Sequence, residues 1–312
     1  MKESLVITLL LLFTLGCQAE TPGEADSSLP HKSVESAASV QTGKPMLPAY
    51  KLPGDMRPLK ADSYDNWRDS HPEIYGITEG PSVAVRPVAE YEDAGRLMIT
   101  VSTWGVPAGI RQNFVDIVKS GKDVVDVYVI YDGSAVKSSF TNALSNAGVS
   151  SNSVTWLNMK LDSIWTRDYG PTPITSLSGK VGMIDNRYYH QRINDDAIPT
   201  KLGSLWNTSV FRSPVDFEGG NFMADTDGNC FCSEGVLMYN AVSEAQLKVY
   251  FEDYYGCSSF HIMKTLANEG TTHIDMQMKL VSDQTVLVGE YGASQDYQNY
   301  QVTNQNAAYF EG

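Results

Sequence analysis

Residues 83–312 predict an α/β fold, and three observations carry the prediction. Continuous apolar runs of strand length recur along the chain, amphipathic stretches of helical period lie between them, and the two alternate in an irregular ββαβ rhythm. A chain of 312 residues with 42% hydrophobic and 19% charged residues has globular composition. That length accommodates one large domain or two modest ones.

The elements follow in order. Arg96 to Ser102 (RLMITVS) reads as a buried strand. Pro107 suits the first turn of a helix, Ile110, Phe114, Ile117 and Val118 give that helix an apolar stripe, and Gly121 ends it. Val124 to Tyr131 (VVDVYVIY) is a second strand bounded by Asp132-Gly133. Ser134 to Ala147 is a helix closed by Gly148, and Val154 to Leu157 a short strand. Two strands span Pro173 to Ile184 around a Ser178-Gly179 turn. Asn221 to Ala224 and Phe231 to Asn240 read as strands flanking a hairpin turn at Asp225 to Asn229; this turn mimics the start of a calcium loop, but its Gly comes too early. Ser243 to Tyr255 is a helix opened by a Ser243/Gln246 capping box and terminated by Gly256. Lys279 to Glu290 is a late strand pair.

The N-terminus has another character. Lys2 followed by the apolar run Leu5 to Leu15 reads as an export signal over residues 1–16, too short to span a bilayer as a helix. Gly16-Cys17 resembles the site at which bacterial lipoproteins are cleaved and acylated, which makes Cys17 the expected lipid attachment and first mature residue. Residues 17–65, rich in Ser, Ala, Pro, Gly and Glu, form an expected disordered tether, and 66–312 the folded domain. The expected location is the cell envelope or the medium. A net charge of −14 argues against nucleic acid and anionic membrane surfaces as partners, and leaves contact with a membrane to the lipid alone. With Cys17 set aside, Cys230, Cys232 and Cys257 remain, an odd number that predicts small buried thiols rather than a disulfide framework.

Three segments bear chemistry. Trp165-Thr166-Arg167-Asp168-Tyr169-Gly170-Pro171 follows a strand; it is either a functional loop or a turn in which Arg167 pairs with Asp168. Phe217-Glu218-Gly219-Gly220-Asn221-Phe222 places paired glycines before a strand, where backbone comes close to a neighbour or a bulge forms. Thr272-His273-Ile274-Asp275-Met276 puts a His and an Asp on one face of an expected strand. His273 is suited to proton transfer and Asp275 to holding a cation, unless they are an ordinary surface pair.

Taken together, W-T-R-D-Y, then E-G-G-N-F, then H-x-D, in this order and spacing over about residues 87–310, resemble the guanidino-group-modifying enzymes. The bacterial peptidylarginine deiminase and agmatine deiminase branches are the most similar. The resemblance implies the pentein fold, a pseudo-fivefold α/β propeller of ββαβ modules around a polar pocket. It implies that Asp168 and Asp275 hold a guanidinium and that His273 is the general acid/base. Trp165, Gly219, Gly220 and Asn221 would line the substrate site. The residue types suit the task, because a guanidinium keeps its charge and its planar N–H fork matches carboxylates. No metal and no organic cofactor is implied.

A fourth stretch, Asn186 to Asp196 (NRYYHQRINDD), resembles the segment in which bacterial peptidylarginine deiminases bind a substrate's C-terminal carboxylate through two arginines. Arg192 falls on the second and His190 on the first; the alternative for Arg192 is a salt bridge to Asp195 or Asp196. The expected substrate is therefore a small molecule or peptide carrying arginine, peptidyl or free, converted to citrulline and ammonia. Agmatine is the alternative substrate, and a non-catalytic guanidinium-binding lipoprotein the alternative of another class. The family's nucleophile is a Cys thiolate in a G-G-x-x-H-C-type segment without a counterpart in residues 1–312. The resemblance thus implies a chain that is incomplete at its C-terminus, with the nucleophile and the last module beyond residue 312.

Overall fold

The computed structural model describes residue 68, residues 70–102 and residues 108–311. The export signal, Cys17, the tether and the helix start at Pro107 lie outside the described residues. Among those described, no helix is long and apolar enough to cross a membrane.

The mixed α/β architecture expected from the sequence is present as several small sheets. β2 (Arg96–Val101), β3 (Asp126–Tyr131) and β4 (Thr155–Asn158) form a parallel sheet in that order. Helices Ala108–Gly121 and Ser134–Asn146 make its crossovers. Ile99, Val115, Val118, Val129, Phe140 and Leu144 are buried together between strands and helices. The apolar stripe thus faces the sheet as its 3.6-residue spacing requires. Gly148, at φ +72°, ends the second helix in a left-handed conformation that a side chain would strain.

β1 (Val85–Pro87), β5 (Thr172–Ser176), β6 (Val181–Arg187) and β7 (Ser209–Asp216) make a four-stranded sheet in the order β1-β5-β6-β7. Its first two pairings are antiparallel and its last is parallel. β8 (Met223–Ala224), β9 (Asn229–Ser233) and β10 (Ser259–Met263) form a third sheet, β9 antiparallel to β8 and parallel to β10. β11 (Met278–Ser282) and β12 (Thr285–Val288) are the late hairpin. A 15-member core joins the second and third sheets through Ile184, Phe217, Phe222, Phe251 and Tyr255. Helix Tyr297–Phe310 closes the described chain.

Several expectations need correction. The strand expected over Phe231–Asn240 stops at Ser233 and turns into a short helix, Gly235–Tyr239. The Ser233 hydroxyl accepts the Gly235 N–H at 3.1 Å and so starts the turn. Helix Glu244–Tyr250, capped by Ser243 Oγ accepting the Gln246 N–H, widens into a π turn over Phe251–Tyr255 before Gly256. Cys230 and Cys257 are joined as a disulfide, with Cα atoms 5.8 Å apart, where unpaired thiols were expected. Counting cysteines by parity misses this because the third, Cys232, is simply buried and left over. The Asp225 turn does form the hairpin: Asp225 Oδ1 accepts the Asp227 and Asn229 N–H groups at 3.0 and 2.8 Å.

Candidate active site

The site is assembled from three tight turns, one from each motif. Thr166–Tyr169 is a single helical turn after Trp165, closed by the Gly170 N–H donating to Thr166 O at 2.8 Å. Tyr169 is buried and its hydroxyl donates to Thr100 Oγ1 at 2.9 Å, while Trp165 packs partly buried beside the Tyr169, Tyr188 and Tyr189 cluster. These anchors fix the turn, and Asp168 on its other side is only 14% exposed.

Gly219–Asn221 is a 3-10 turn. A Cβ on Gly219 would lie 2.1 Å from Arg167 O, and one on Gly220 would lie 2.4 Å from His273 Nδ1 and 2.9 Å from Asp168 Oδ1. Neither glycine has a positive φ, so the paired glycines serve close approach and not an unusual backbone conformation. Asn221 is buried, and its carboxamide oxygen accepts the Ser233 N–H at 2.8 Å, which ties the turn to β9.

The third turn corrects the sequence reading. Ile274–Met276 is a 3-10 turn, not a strand, and Thr272 before it has φ +61°. The strain at Thr272 is held by a buried contact and two part-buried ones: Ser233 Oγ donates to Thr272 O, and Glu269 accepts the Thr271 and His273 N–H groups, each at 3.0 Å. The imidazole of His273 is buried between two carboxylates. Nε2 bonds Glu218 Oε2 at 2.8 Å, and Nδ1 stands 3.8 Å from Asp168 Oδ1. Asp275 follows on the same turn, its side chain about a third exposed, 4.0 Å from Arg167 Nε. The alternative in which Arg167 pairs with Asp168 is not realised. Arg167 instead pairs with Glu90 and donates to Phe222 O at 3.1 Å.

The electrostatics follow from burial and crowding. Burial pushes Asp168 up to about 7; Glu218 and Asp275 add to the rise, while His273 and the Gly220 N–H oppose it. Burial pulls His273 down, but the hydrogen bond to Glu218 and the charges of Asp168, Glu218 and Asp275 outweigh it and lift His273 to about 9. Burial also raises Asp275, against the charges of His273 and Arg167. The site is thus two carboxylates around an imidazolium with protons in reach near neutral pH. It offers acceptors for a planar cation and a group that gives and takes a proton.

Of the residues read from the sequence, Asp168, Gly219, Gly220, His273 and Asp275 converge here. Asn221 braces the turn from behind. Arg192 adjoins the cluster through Tyr188: its guanidinium lies over the Tyr188 and Tyr189 rings at 5.9 and 5.2 Å, and Nη1 donates at 3.0 Å to the Tyr188 hydroxyl, which burial and then the charges of Asp168 and Glu218 hold in its neutral form. Asp196 pairs with Arg68 at 2.6 Å, and Asp195 accepts from Ser163 Oγ at 2.6 Å. Glu218, which the sequence reading passes over, holds His273 Nε2; an acid directly before the glycine pair is the signal for it. A recess with room for about one water lies beside Glu218, lined in part by Asp216, Tyr239 and Thr271. No described cysteine offers a thiolate: Cys230 and Cys257 are bridged, and burial pushes the Cys232 thiol well up.

The model of the Porphyromonas-type peptidyl-arginine deiminase family matches residues 98–312. A curated protein of Mycoplasma mycoides named "putative agmatine deiminase" is 24% identical over 148 residues, 42% of this chain and 41% of that protein. A second of the same name, from Photobacterium profundum, is 28% identical over 93 residues, 27% of this chain and 26% of that protein. The chain therefore spans about two fifths or less of the length of these curated relatives. Among solved structures, the agmatine deiminase of Enterococcus faecalis superposes with a TM-score of 0.62 at 17% identity, over 75% of this chain and 69% of that one. The agmatine deiminase of C. jejuni gives 0.60 at 18%, over 72% and 69%. At these identities the likeness establishes the fold.

Proposed function

This chain belongs to the Porphyromonas-type peptidyl-arginine deiminase family, and on that premise we propose that it holds and protonates a guanidino group for hydrolysis to a ureido group and ammonia. The observation that carries the reading is His273, clamped by Glu218 at 2.8 Å and facing Asp168 at 3.8 Å, with Asp275 two residues on. In this reading Asp168 and Asp275, both ionised, accept the N–H bonds of the guanidinium and orient its central carbon. A Cys thiolate adds to that carbon, the His273 imidazolium protonates the departing ammonia, and a thiouronium remains. His273 then takes a proton from the attacking water, and collapse of the adduct releases the ureido product and the thiolate. Among the described residues, Cys230 and Cys257 are bridged and Cys232 is a buried thiol, so none of the three is assigned this part. Asp168→Ala should abolish binding of agmatine and of a peptide ending in arginine, measured by calorimetry on the full chain; unchanged affinity for both would remove the site assignment.

Peptidyl or free arginine is the leading substrate, because Arg192 stands on two tyrosine rings in the segment that resembles a carboxylate-binding stretch. The names of the curated relatives favour agmatine as the second reading, and the ratio of the two affinities decides between them. Export with a lipid on Cys17 completes the proposal. The Cys230–Cys257 disulfide supports it, since such bonds persist in oxidising compartments. Cys17→Ser should move the protein from the membrane fraction to the soluble one, and retention of that variant on membranes would exclude the anchor.

A further inference from the structure

The motif arginine, Arg167, takes no part in the proposed chemistry, yet it links the first turn to the other two. Its carbonyl packs against Gly219, where a Cβ would come within 2.1 Å. Its Nη2 donates to Phe222 O, directly after the second turn, at 3.1 Å. Its Nε stands 4.0 Å from Asp275 Oδ2 on the third. The same guanidinium pairs with Glu90, from the loop between β1 and β2, and Glu90 in turn pairs with Lys279 of β11. A chain of alternating charge, Lys279–Glu90–Arg167–Asp275, therefore ends on a carboxylate proposed to hold substrate.

We propose that Arg167, braced by Glu90 and the Phe222 carbonyl, is a positioning residue that sets the place of the Asp275 carboxylate beside His273. Its consequence for turnover rests on the deiminase reading; the link itself does not. Arg167 is more than a lone surface ion pair, because its guanidinium pairs with Glu90 and donates to the Phe222 carbonyl while its Nε stands 4.0 Å from Asp275. It also creates an opposition that a test can use. Arg167 is a cation next to a site for a cation. If it acted by charge alone, removing it would tighten guanidinium binding. If it positions Asp275, removing it weakens binding.

The charged groups that face Asp275 are His273, Arg167, Glu269 and Asp168. Carbon-detected NMR titration of the Asp275 carboxyl in the full chain reads the link directly. Arg167→Gln should move the midpoint up by about 0.5–1 pH unit, as expected on removing an opposite charge 4.0 Å away that water partly screens. Arg167→Lys should restore at least part of the change, and Glu90→Gln, which loosens the brace and leaves the arginine, should shift the midpoint by a smaller amount. An Asp275 midpoint that stays in place in both Arg167→Gln and Glu90→Gln overturns the inference. Agmatine affinity is the second readout: about a threefold or greater loss in Arg167→Gln, partly rescued by Lys, supports positioning, and tighter binding overturns it. If the unmodified chain binds no agmatine or arginine peptide, the deiminase reading fails, and the NMR result alone decides the Arg167–Asp275 link.

Discussion

His273 is an imidazole placed where two carboxylates compete for it. Glu218 wins the short hydrogen bond at 2.8 Å, and Asp168 is left at 3.8 Å with burial acting against its charge. The signs of the two shifts set the pH behaviour. Asp168 is raised to about 7, so its ionisation costs stability in the empty protein as pH climbs from the ordinary carboxylate range to 7. His273 is raised to about 9, so it contributes stability below its ordinary value near 6.5 and loses that contribution as pH rises through 9. Between pH 6 and 8 His273 keeps its proton, and Asp168 is the group that changes. A guanidinium ligand needs Asp168 ionised. Its affinity should therefore rise about tenfold from pH 6 to a plateau near pH 8, the factor set by one carboxyl with a midpoint at about 7. Calorimetry across that range checks it, and a flat profile would show that Asp168 is already ionised at pH 6. The pairing of Glu218 with His273 was not legible in the sequence because 55 residues separate them and neither belongs to the other's local period.

The unit that carries the site is the tight turn. W-T-R-D-Y and E-G-G-N-F could be read as loop segments because Gly-Pro and Gly-Gly interrupt any regular period. His273 and Asp275 were misread as strand neighbours, since alternate spacing is all that a period of two requires. What the spacing cannot reveal is the positive φ of Thr272, which bends the chain and is held by Ser233 and Glu269. Gly220 shows how little room the turns leave. In Gly220→Ala the new methyl would meet His273 Nδ1 at 2.4 Å and Asp168 Oδ1 at 2.9 Å. The imidazole must then leave Glu218 or the turn must shift. The expected outcome is loss of guanidinium binding together with about 1–3 kcal/mol of stability, the usual cost of overpacking. Calorimetry and thermal unfolding of the same variant check both parts.

At the scale of the molecule, alternation of strands and helices was read well where each element had its own period. The three-stranded parallel sheet, its two helices and the late hairpin fall close to where the apolar spacing put them. The order of strands across the sheets was not readable, because pairings such as β1 with β5 join segments about 90 residues apart without a local signal. The disulfide was missed for the same reason: its partners are distant in sequence, and their number alone suggested free thiols. Cys230 and Cys257 enclose a separation of 27 residues, so replacing both by Ser should lower stability by about 3 kcal/mol. Denaturant titration of the double variant against the oxidised protein checks this. The bond also fastens the start of β9 to the residues just before β10, the strand it lies parallel to. A protease that cut the exposed surface of the helical crossover between them would consequently sever the backbone without parting the molecule. The two polypeptides would travel as one until a reductant reached the sulfurs.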